Sequence, residues 1–228
     1  MSSKSVFKFP PPLKKAAIAM ISGAIATISI IDRPPLADAT VIDLSTLERG
    51  IIAEMNRARS NPPAYSQVML NWRKKFQGNL ARISPTLFLR TKEGTPAIDE
   101  AIRVLKKTRP VPTLAAARGL SLAARDHVRD QGNRGAIGHN GRDGSTPYDR
   151  MERYGKWQVI AGENIAYGPD TAQAVVRDLI IDDGVADRGH RINMFQPKYR
   201  VAGVACGRHK QYRVMCAIEY AGSYQDKK

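Results

Sequence analysis

The chain has 228 residues and a mass of 25.1 kDa, and 43% of its residues are hydrophobic. This supply of apolar residues supports one sizeable core and disfavours two, so a single domain is predicted. The formal net charge of +15 favours anionic partners such as nucleic acid, anionic lipid headgroups or acidic wall polymers, although charge selects none of them and also suits a plain solvated basic face.

The amino-terminal segment has the order of a secretory signal. Four lysines precede an uncharged run at residues 16–31, and the small-residue sequence ADA follows at residues 37–39. Cleavage there would start the mature chain near Thr40 and lower the net charge from +15 to +12, because five basic and two acidic residues are removed. The alternative is an uncleaved membrane anchor through residues 16–31, although this run is shorter than the roughly 20 residues that a membrane span prefers.

These features predict the domain organisation and the location. Residues 1–39 are interpreted as a signal peptide or amino-terminal anchor, and residues 40–228 as one domain with its core at about residues 44–220. The predicted location is secreted, either extracellular or periplasmic, with membrane anchoring as the alternative.

The first predicted element is an amphipathic helix at residues 44–59, where apolar residues recur at helical spacing. Asn61 and the two prolines after it are predicted to end this helix. Residues 71–94 have no firm period and are interpreted as loop or weak helix. A second helix is predicted over residues 96–107, with proline at its start and lysines at its end.

A third helix is predicted from Thr113 to a closing Gly132. His127 lies on its apolar face, which favours a packing role over a role as a ligand. The glycine-rich loop at residues 132–145 can turn sharply, and a short helix at residues 147–154 follows it.

The remaining chain alternates strand and helix patterns. Residues 157–161 resemble a strand that leads into GENIAYG, and an amphipathic helix capped by Asp170 or Thr171 comes next. Residues 201–206 and 212–220 are predicted to form two antiparallel strands. Helices before and after short strands predict an α+β fold in which helices cover a small mixed or antiparallel sheet.

Two aspartates, Asp182 and Asp183, are predicted to end the amphipathic helix. Carboxylates at a helix carboxyl end cost roughly 0.3–1 kcal/mol each, so this pair calls for a compensating cation or another role. The alternative is that the helix ends earlier and that both aspartates are solvated loop residues before Gly184.

The only cysteines, Cys206 and Cys216, flank a short polar loop between apolar runs. If the strands pair about Gln211, the two residues face each other across a hairpin, where a disulfide is geometrically feasible. An exported chain would favour that bond, and two buried free thiols are the alternative.

The residues that point to chemistry are His139, Glu163 and His190, each in a glycine-bordered polar segment. Two neutral imidazoles and a carboxylate suit Zn²⁺ or a similar divalent ion. A glutamate beside such an ion would also serve as general base on a bound water. The alternative is that Glu163 bonds nearby backbone N–H groups and that both histidines are structural.

The ordered motifs GHNG, GSTPYDRM, GENIAYG, AVVRDLI, GHRINMF and QPKYRVAGVACG resemble the bacterial branch of the CAP superfamily. This superfamily comprises the cysteine-rich secretory, antigen 5 and pathogenesis-related 1 proteins, and its domain is also called the SCP domain. The resemblance covers roughly residues 44–220 and is strongest over residues 139–207. It implies a three-layer α–β–α sandwich with a small, mainly antiparallel sheet.

The resemblance also implies a cleft of two histidines and two acidic residues that binds divalent cations in some members. His139, Glu163 and His190 match the family motifs directly. The second acidic residue departs from the family pattern, because the helix here ends in aspartates and DGVADR intervenes before Gly189. Asp182 is the first choice for this role and Asp183 the second.

Secondary candidates lie near the predicted cleft. Arg191 and Asn193 are expected to orient the loop after His190, and Tyr148 and Tyr167 to line the cleft. Packing is the alternative role for all four.

Three functions are compatible with these residues. The first is a secreted binding module, without established catalysis, whose cleft holds a cation or small ligand and whose surface engages anionic lipid, cell-wall polymer or protein. The second is a zinc-dependent hydrolase with His139 and His190 as ligands and Glu163 as general base. The third rests on the four letters DRGH at residues 187–190, which occur in metal-dependent nucleases. A nucleic-acid partner is the least favoured, because it leaves the GENIAYG and GSTPYDRM segments unexplained.

Overall fold

The computed structural model describes residues 44–227. Its seven helices and seven strands, in the described part of the chain, have these bounds: α1 Leu44–Ser60, α2 Pro62–Arg73, β1 Phe76–Gln77, β2 Leu80–Arg82, β3 Phe88–Arg90, α3 Thr95–Lys107, β4 Ala115–Ala116, α4 Arg118–Arg134, α5 Pro147–Tyr154, β5 Gly155–Tyr167, α6 Ala172–Ile181, α7 Gly189–Met194, β6 Val201–His209 and β7 Arg213–Asp226. None of these described helices has the length and apolar character needed to cross a bilayer. The predicted signal peptide or anchor at residues 1–39 lies outside the described residues.

The central sheet has the strand order β4-β6-β7-β5. The short β4 pairs with β6 in parallel, and the other pairs are antiparallel. β5 is an edge strand, and its pairing with β7 shifts register between Gln158 and Ala161. A second, smaller antiparallel sheet has the order β1-β2-β3.

Strand β7 shows why helices cover both faces of the central sheet. Its even-numbered residues from Val214 to Tyr220 belong to the large core with α1, α2, α3 and α6. Met215 and Ala217 point to the other face and pack with residues of α4. Because successive side chains of a strand point to opposite faces, one apolar strand supplies two cores, and the predicted α–β–α sandwich with a mainly antiparallel sheet is confirmed.

The disulfide prediction is also confirmed. Cys206 and Cys216 are directly opposite each other in the β6–β7 register and are joined by a disulfide bond. No free cysteine occurs in the described chain, so the alternative of two buried thiols is wrong.

Several predicted boundaries are wrong for local reasons. Asn61 ends α1, but its side chain also accepts a hydrogen bond from the backbone N–H of Ala64 and caps α2. Residues 71–94, interpreted as loop or weak helix, contain the end of α2 and all three strands of the small sheet. Helix α4 begins at Arg118 and not at Thr113, because the preceding residues form β4 beside β6.

The strand that was predicted at residues 157–161 is much longer. β5 runs from Gly155 to Tyr167 and includes the GENIAY sequence itself. The short helix α7, which carries His190, was not predicted. Both differences bear on the site, because they fix where its side chains point.

Candidate functional site

The first histidine of the candidate site is held by a carboxylate of the edge strand. His139 Nδ1 lies 2.6 Å from Glu163 Oε1. Because an ionised carboxylate only accepts hydrogen bonds, Nδ1 carries the proton and donates it. His139 enters from the glycine-rich loop, and its side chain is only 15% exposed.

The loop that carries His139 is fixed through its neighbour Gly138. The carbonyl of Gly138 accepts hydrogen bonds from His127 Nε2 at 2.9 Å and from Gln131 Nε2 at 2.7 Å. The backbone N–H of Gly138 donates to the Tyr167 hydroxyl. Gly138 has a φ of 107°, a conformation that favours glycine, so the G in the GHN motif has a backbone role.

The packing role predicted for His127 agrees with this arrangement. Its ring is fully buried, and it braces the loop through Gly138. Burial lowers the pKa of His127, so the ring is neutral and its proton is on Nε2, the atom that faces a carbonyl.

Glu163 also binds a guanidinium. Arg150 Nη2 donates to Glu163 Oε2 at 2.7 Å, and Arg150 Nη1 donates to the carbonyls of His139 and Ser145. Burial acts to raise the pKa of Glu163, but the hydrogen bond from His139 and the charges of its basic neighbours outweigh burial, so the pKa lies below its ordinary value. Glu163 is therefore an ionised, doubly engaged carboxylate.

A second carboxyl group lies directly across the strand pair. Glu219 of β7 is opposite Glu163 in the register and is fully buried. The Arg150 guanidinium is 3.8 Å from Glu219 Oε1. Burial and the nearby charge of Glu163 raise the pKa of Glu219 well above its ordinary value, which favours the protonated, neutral form of this side chain.

The second histidine is held by Asp182. His190 Nδ1 is 2.7 Å from Asp182 Oδ1, so this ring also donates its Nδ1 proton to a carboxylate. Asp182 Oδ2 accepts the backbone N–H groups of His190 and Arg191 at 2.9 and 3.2 Å. Asp182 itself is completely buried.

The end of α6 explains the aspartate pair. The helix ends at Ile181, and Asp182 is its C-cap with a φ of 59°. Aspartate tolerates this left-handed conformation better than most residues. Arg191 donates to the carbonyls of Ile180 and Ile181 and so supplies the compensating cation that the helix dipole requires.

Asp183 has a different role. Its carboxylate accepts the backbone N–H groups of Lys92 and Glu93 at 2.6 and 2.8 Å. The helix ends before both aspartates, as the alternative had it and contrary to the prediction that they end the helix. Both side chains are buried, so the part of the alternative that made them solvated is wrong. Asp183, the second choice for the acidic residue, therefore binds the backbone of residues 92 and 93. Asp182, the first choice, contacts His190.

Consecutive residues of edge strand β5 contact the two histidine segments. Glu163 lies on the α4 and α5 side, and the consecutive Asn164 lies on the other side, where its amide donates to the carbonyl of His190 at 3.1 Å. Asn193 donates to Asn164 Oδ1 at 2.9 Å, so it links the α7 segment to β5. Each histidine therefore has its own carboxylate, and the two do not share Glu163.

No group of three or more His, Cys, Asp and Glu side chains within residues 44–227 is placed to hold a metal ion. The described contacts of His139 and His190 involve Nδ1 and leave Nε2 of each ring without a hydrogen bond. The donor set is therefore two imidazoles, which does not fit a metal site with three protein ligands.

The two tyrosines occupy different surroundings. Tyr148 is 45% exposed and packs against the Trp157 ring. Tyr167 is buried, accepts from the Gly138 N–H and donates to Gln131 Oε1. Tyr167 thus holds the loop of His139 through the backbone of Gly138, whereas Tyr148 lies at the surface.

Sequence reasoning missed Arg150 and Glu219. Arg150 is the arginine of the GSTPYDRM motif, whose fixed place after the His139 loop was a usable signal. Glu219 is the one acid within the apolar strand sequence VMCAIEYAG. A charged residue in a buried strand is rarely found without a partner, so this position also carried a signal.

Comparison with known proteins identifies the family. The family model described as "CAP: Cysteine-rich secretory protein family" matches residues 53–220. The chain belongs to this family, and the predicted resemblance to its bacterial branch is confirmed.

The relatives found are distant. Uncharacterized protein YkwD of Bacillus subtilis (strain 168) is 32% identical over 85 residues, which cover 37% of this chain and 31% of that protein. An extracellular protein containing a SCP domain from Bacillus anthracis str. Ames is 21% identical with a TM-score of 0.41, covering 56% of this chain and 39% of that one. An outer surface protein from Borrelia burgdorferi is 15% identical with a TM-score of 0.43, covering 60% of this chain and 98% of that one. The chain thus spans about a third of the curated relative.

Proposed function

We propose that this CAP-family protein is a secreted binding module whose cleft takes a divalent cation or a small polar ligand through His139 and His190. The observation that carries the proposal is the pair of Nδ1 contacts, 2.6 Å to Glu163 and 2.7 Å to Asp182. Metal-binding histidines usually donate their second ring N–H to a carboxylate, which fixes the ring and raises the basicity of the free nitrogen. Both rings are prepared in this way.

The chemistry of the donor set limits which cation site is proposed. Imidazole nitrogen suits Zn²⁺, Cu²⁺ and Ni²⁺ better than Mg²⁺ or Ca²⁺. His139 and His190 would be the protein ligands, and a bound zinc ion would act as a Lewis acid. Glu163 and Asp182 would orient the rings and balance charge, because both carboxylates are already engaged by hydrogen bonds.

The alternative function, a zinc-dependent hydrolase with Glu163 as general base, is less well supported. A general base must reach the proton that it accepts and needs a pKa near the working pH. The Glu163 side chain is 1% exposed, both of its oxygens accept hydrogen bonds, and its pKa is lowered. Binding without catalysis therefore remains the favoured proposal.

Secretion is proposed on two grounds. Residues 1–39 have the order of a signal peptide, and the described domain contains a disulfide, a bond that persists mainly in oxidising compartments. Amino-terminal sequencing of the exported protein tests this directly, since cleavage predicts a start near Thr40 and an anchor predicts an intact amino terminus.

Among partners, anionic lipid, cell-wall polymer and protein remain the proposals, and nucleic acid remains the least favoured. The arginine of the DRGH string, Arg188, forms ion pairs with Glu93 and Glu100. A guanidinium engaged in this way is less available for a phosphate backbone.

Calorimetric titration of the protein with Zn²⁺ tests the proposal. We expect binding that His139→Ala or His190→Ala removes, and that Glu163→Gln or Asp182→Asn weakens by roughly 10–100-fold. His209→Gln is the matched control, because the Nε2–H of this histidine donates to the Ala136 carbonyl and its Nδ1 accepts backbone N–H groups, so both ring nitrogens are already engaged. Equal zinc affinity in the His139→Ala variant and the parent protein would refute the cation proposal.

A separate assay addresses catalysis. Zinc-loaded protein that hydrolyses peptide or wall substrates, with activity lost in Glu163→Gln, would replace the binding module by the hydrolase. We expect no hydrolysis in either sample.

A further inference from the structure

We infer that the hairpin of β2 and β3, with the loop between them, docks this protein onto anionic lipid bilayers. This surface, residues 80–90, is called the basic hairpin below. It is separate from the two histidine–carboxylate pairs, so the inference goes beyond the proposed cation site and does not rest on it.

The tip of the basic hairpin exposes a cluster of large apolar side chains. Ile83, Leu87 and Phe88 are 43%, 51% and 46% exposed. These are three of the eight large hydrophobic residues that are exposed in the described part of the chain. Single exposed apolar residues are normal, but adjacent ones at one tip indicate an interaction site.

Hydrogen bonds hold the tip in a defined shape. The backbone N–H groups of Ile83 and Ser84 donate to the Leu87 carbonyl at 2.9 and 3.2 Å. The Ser84 hydroxyl oxygen accepts the N–H groups of Thr86 and Leu87. The backbone N–H groups of the tip are thus satisfied internally, which reduces the cost of placing the tip in a lipid interface.

The strand register separates an inner face from an outer one. Ala81 and Leu89 are paired and pack toward the large core. Arg82 and Phe88 are paired on the opposite face, and both are exposed. The hairpin is therefore anchored through one face and presents a cation beside an aromatic ring on the other.

The charge around the tip selects the partner. Residues 71–92 contain six basic residues and no acidic one. Arg82 and Arg90, both exposed, flank the apolar cluster, whereas Arg73 is paired with Asp99. The charges of Arg82 and Arg90 thus lie beside the apolar side chains of the tip.

An anionic bilayer uses both features of this surface. Its headgroups attract the arginines, and its acyl boundary takes the apolar side chains. A hydrated polyanion such as a wall polymer would use the charges and leave the apolar tip in water. A second copy of the chain would bring two basic hairpins together, and like charges repel.

Depth-resolved fluorescence tests the inference on the full-length chain. The Phe88→Trp variant is mixed with vesicles of phosphatidylcholine alone, or of phosphatidylcholine and phosphatidylglycerol in equal parts, in which the acyl chains are brominated. The parent protein, with Trp72 and Trp157, gives the background. We expect bromine quenching of the added tryptophan with the anionic vesicles, little with the neutral ones, and loss of quenching at high salt.

Paired variants with a matched control separate the hairpin from the rest of the chain. Leu87→Ser combined with Phe88→Ser, and Arg82→Ser combined with Arg90→Ser, are each expected to weaken vesicle binding by about tenfold or more. Arg208→Ser combined with Lys210→Ser removes the same charge from the exposed ends of β6 and its turn and is expected to change binding less than about twofold.

Two results would overturn the inference. One is an added tryptophan at position 88 that stays unquenched with anionic vesicles. The other is an equal loss of binding in the hairpin and control variants, which would assign the interaction to net charge or to residues 1–39. All the substituted side chains are exposed, so we expect each variant to fold. Circular dichroism melting curves check this.

Discussion

The two histidine–carboxylate pairs share the same hydrogen bond from Nδ1 to a carboxylate, but the two carboxylates are stabilised in different ways. Glu163 is neutralised by the Arg150 guanidinium and lies across from Glu219. Asp182 is instead satisfied by two backbone N–H groups next to the histidine that it holds. One pair is assembled from three distant segments and the other from residues only eight or nine apart in sequence.

The difference shows that a buried carboxylate can hold a histidine ring by two routes. A buried carboxylate is tolerated when it has a countercharge or several hydrogen-bond donors. The Glu163 pair uses a countercharge, so removing one partner leaves buried charge behind. The Asp182 pair uses local backbone donors, so it depends on a short turn.

The largest effect is expected for Arg150→Met. This change leaves Glu163 buried beside Glu219 without its guanidinium and should lower the free energy of unfolding at neutral pH by about 3–5 kcal/mol. Because the lowered pKa of Glu163 gives stability that is lost as the pH falls through that pKa, the deficit should shrink in acid. Urea titrations at several pH values measure both effects.

Arg153→Met is the matched control for this prediction. Arg153 lies on the same helix but is 41% exposed and pairs with Asp126 and Asp143 at the surface. The expected loss is below about 1 kcal/mol. Equal losses in the two variants would show that Glu163 does not depend on buried countercharge.

A smaller effect is expected at the second pair. Asp182→Ala removes the acceptor of three donors and places alanine at a φ of 59°, which should cost about 2–3 kcal/mol. Asp182→Asn retains a carbonyl acceptor and tolerates this backbone, so it should cost less than about half as much. Thermal unfolding of both variants measures the difference, and equal melting temperatures would argue against backbone capping by this side chain.

The smallest effect is a change in pH dependence from Glu219→Gln. A carboxyl group whose pKa is raised in the folded state stabilises the protein below its ordinary pKa, and that stability is lost as the pH rises through the raised value. The parent protein should therefore lose up to about 1.4 kcal/mol per pH unit above the ordinary glutamate pKa. Glu219→Gln should flatten that slope, which is measured from unfolding curves at increasing pH. An unchanged slope in the variant would show that Glu219 is already ionised in the native protein.

The same contrast explains what the sequence could predict. The helical stripes, the apolar strands and the Cys206–Cys216 hairpin follow from local patterns and were predicted. Asp182 was the first choice for the second acid because the family resemblance implies an acidic residue at the end of the helix before the second histidine.

Long-range contacts were harder to predict. Arg150 and Glu219 meet Glu163 only because β7 pairs with β5 and α5 packs on that face, and no spacing rule in the sequence contains this information. The small sheet at residues 76–90 was missed for a related reason, since its strands are two or three residues long and too short to show a period.

The central claim is that the imidazoles of His139 and His190 are both held at Nδ1 by a carboxylate. The other two histidines of the chain serve as controls. Long-range ¹H–¹⁵N correlation spectra of the four histidines, recorded where the rings are neutral, report which nitrogen carries the proton. The account predicts the Nδ1–H tautomer for His139 and His190, and the Nε2–H tautomer for His127 and His209, whose Nε2 atoms face carbonyls. An Nε2–H tautomer at either His139 or His190 would contradict it.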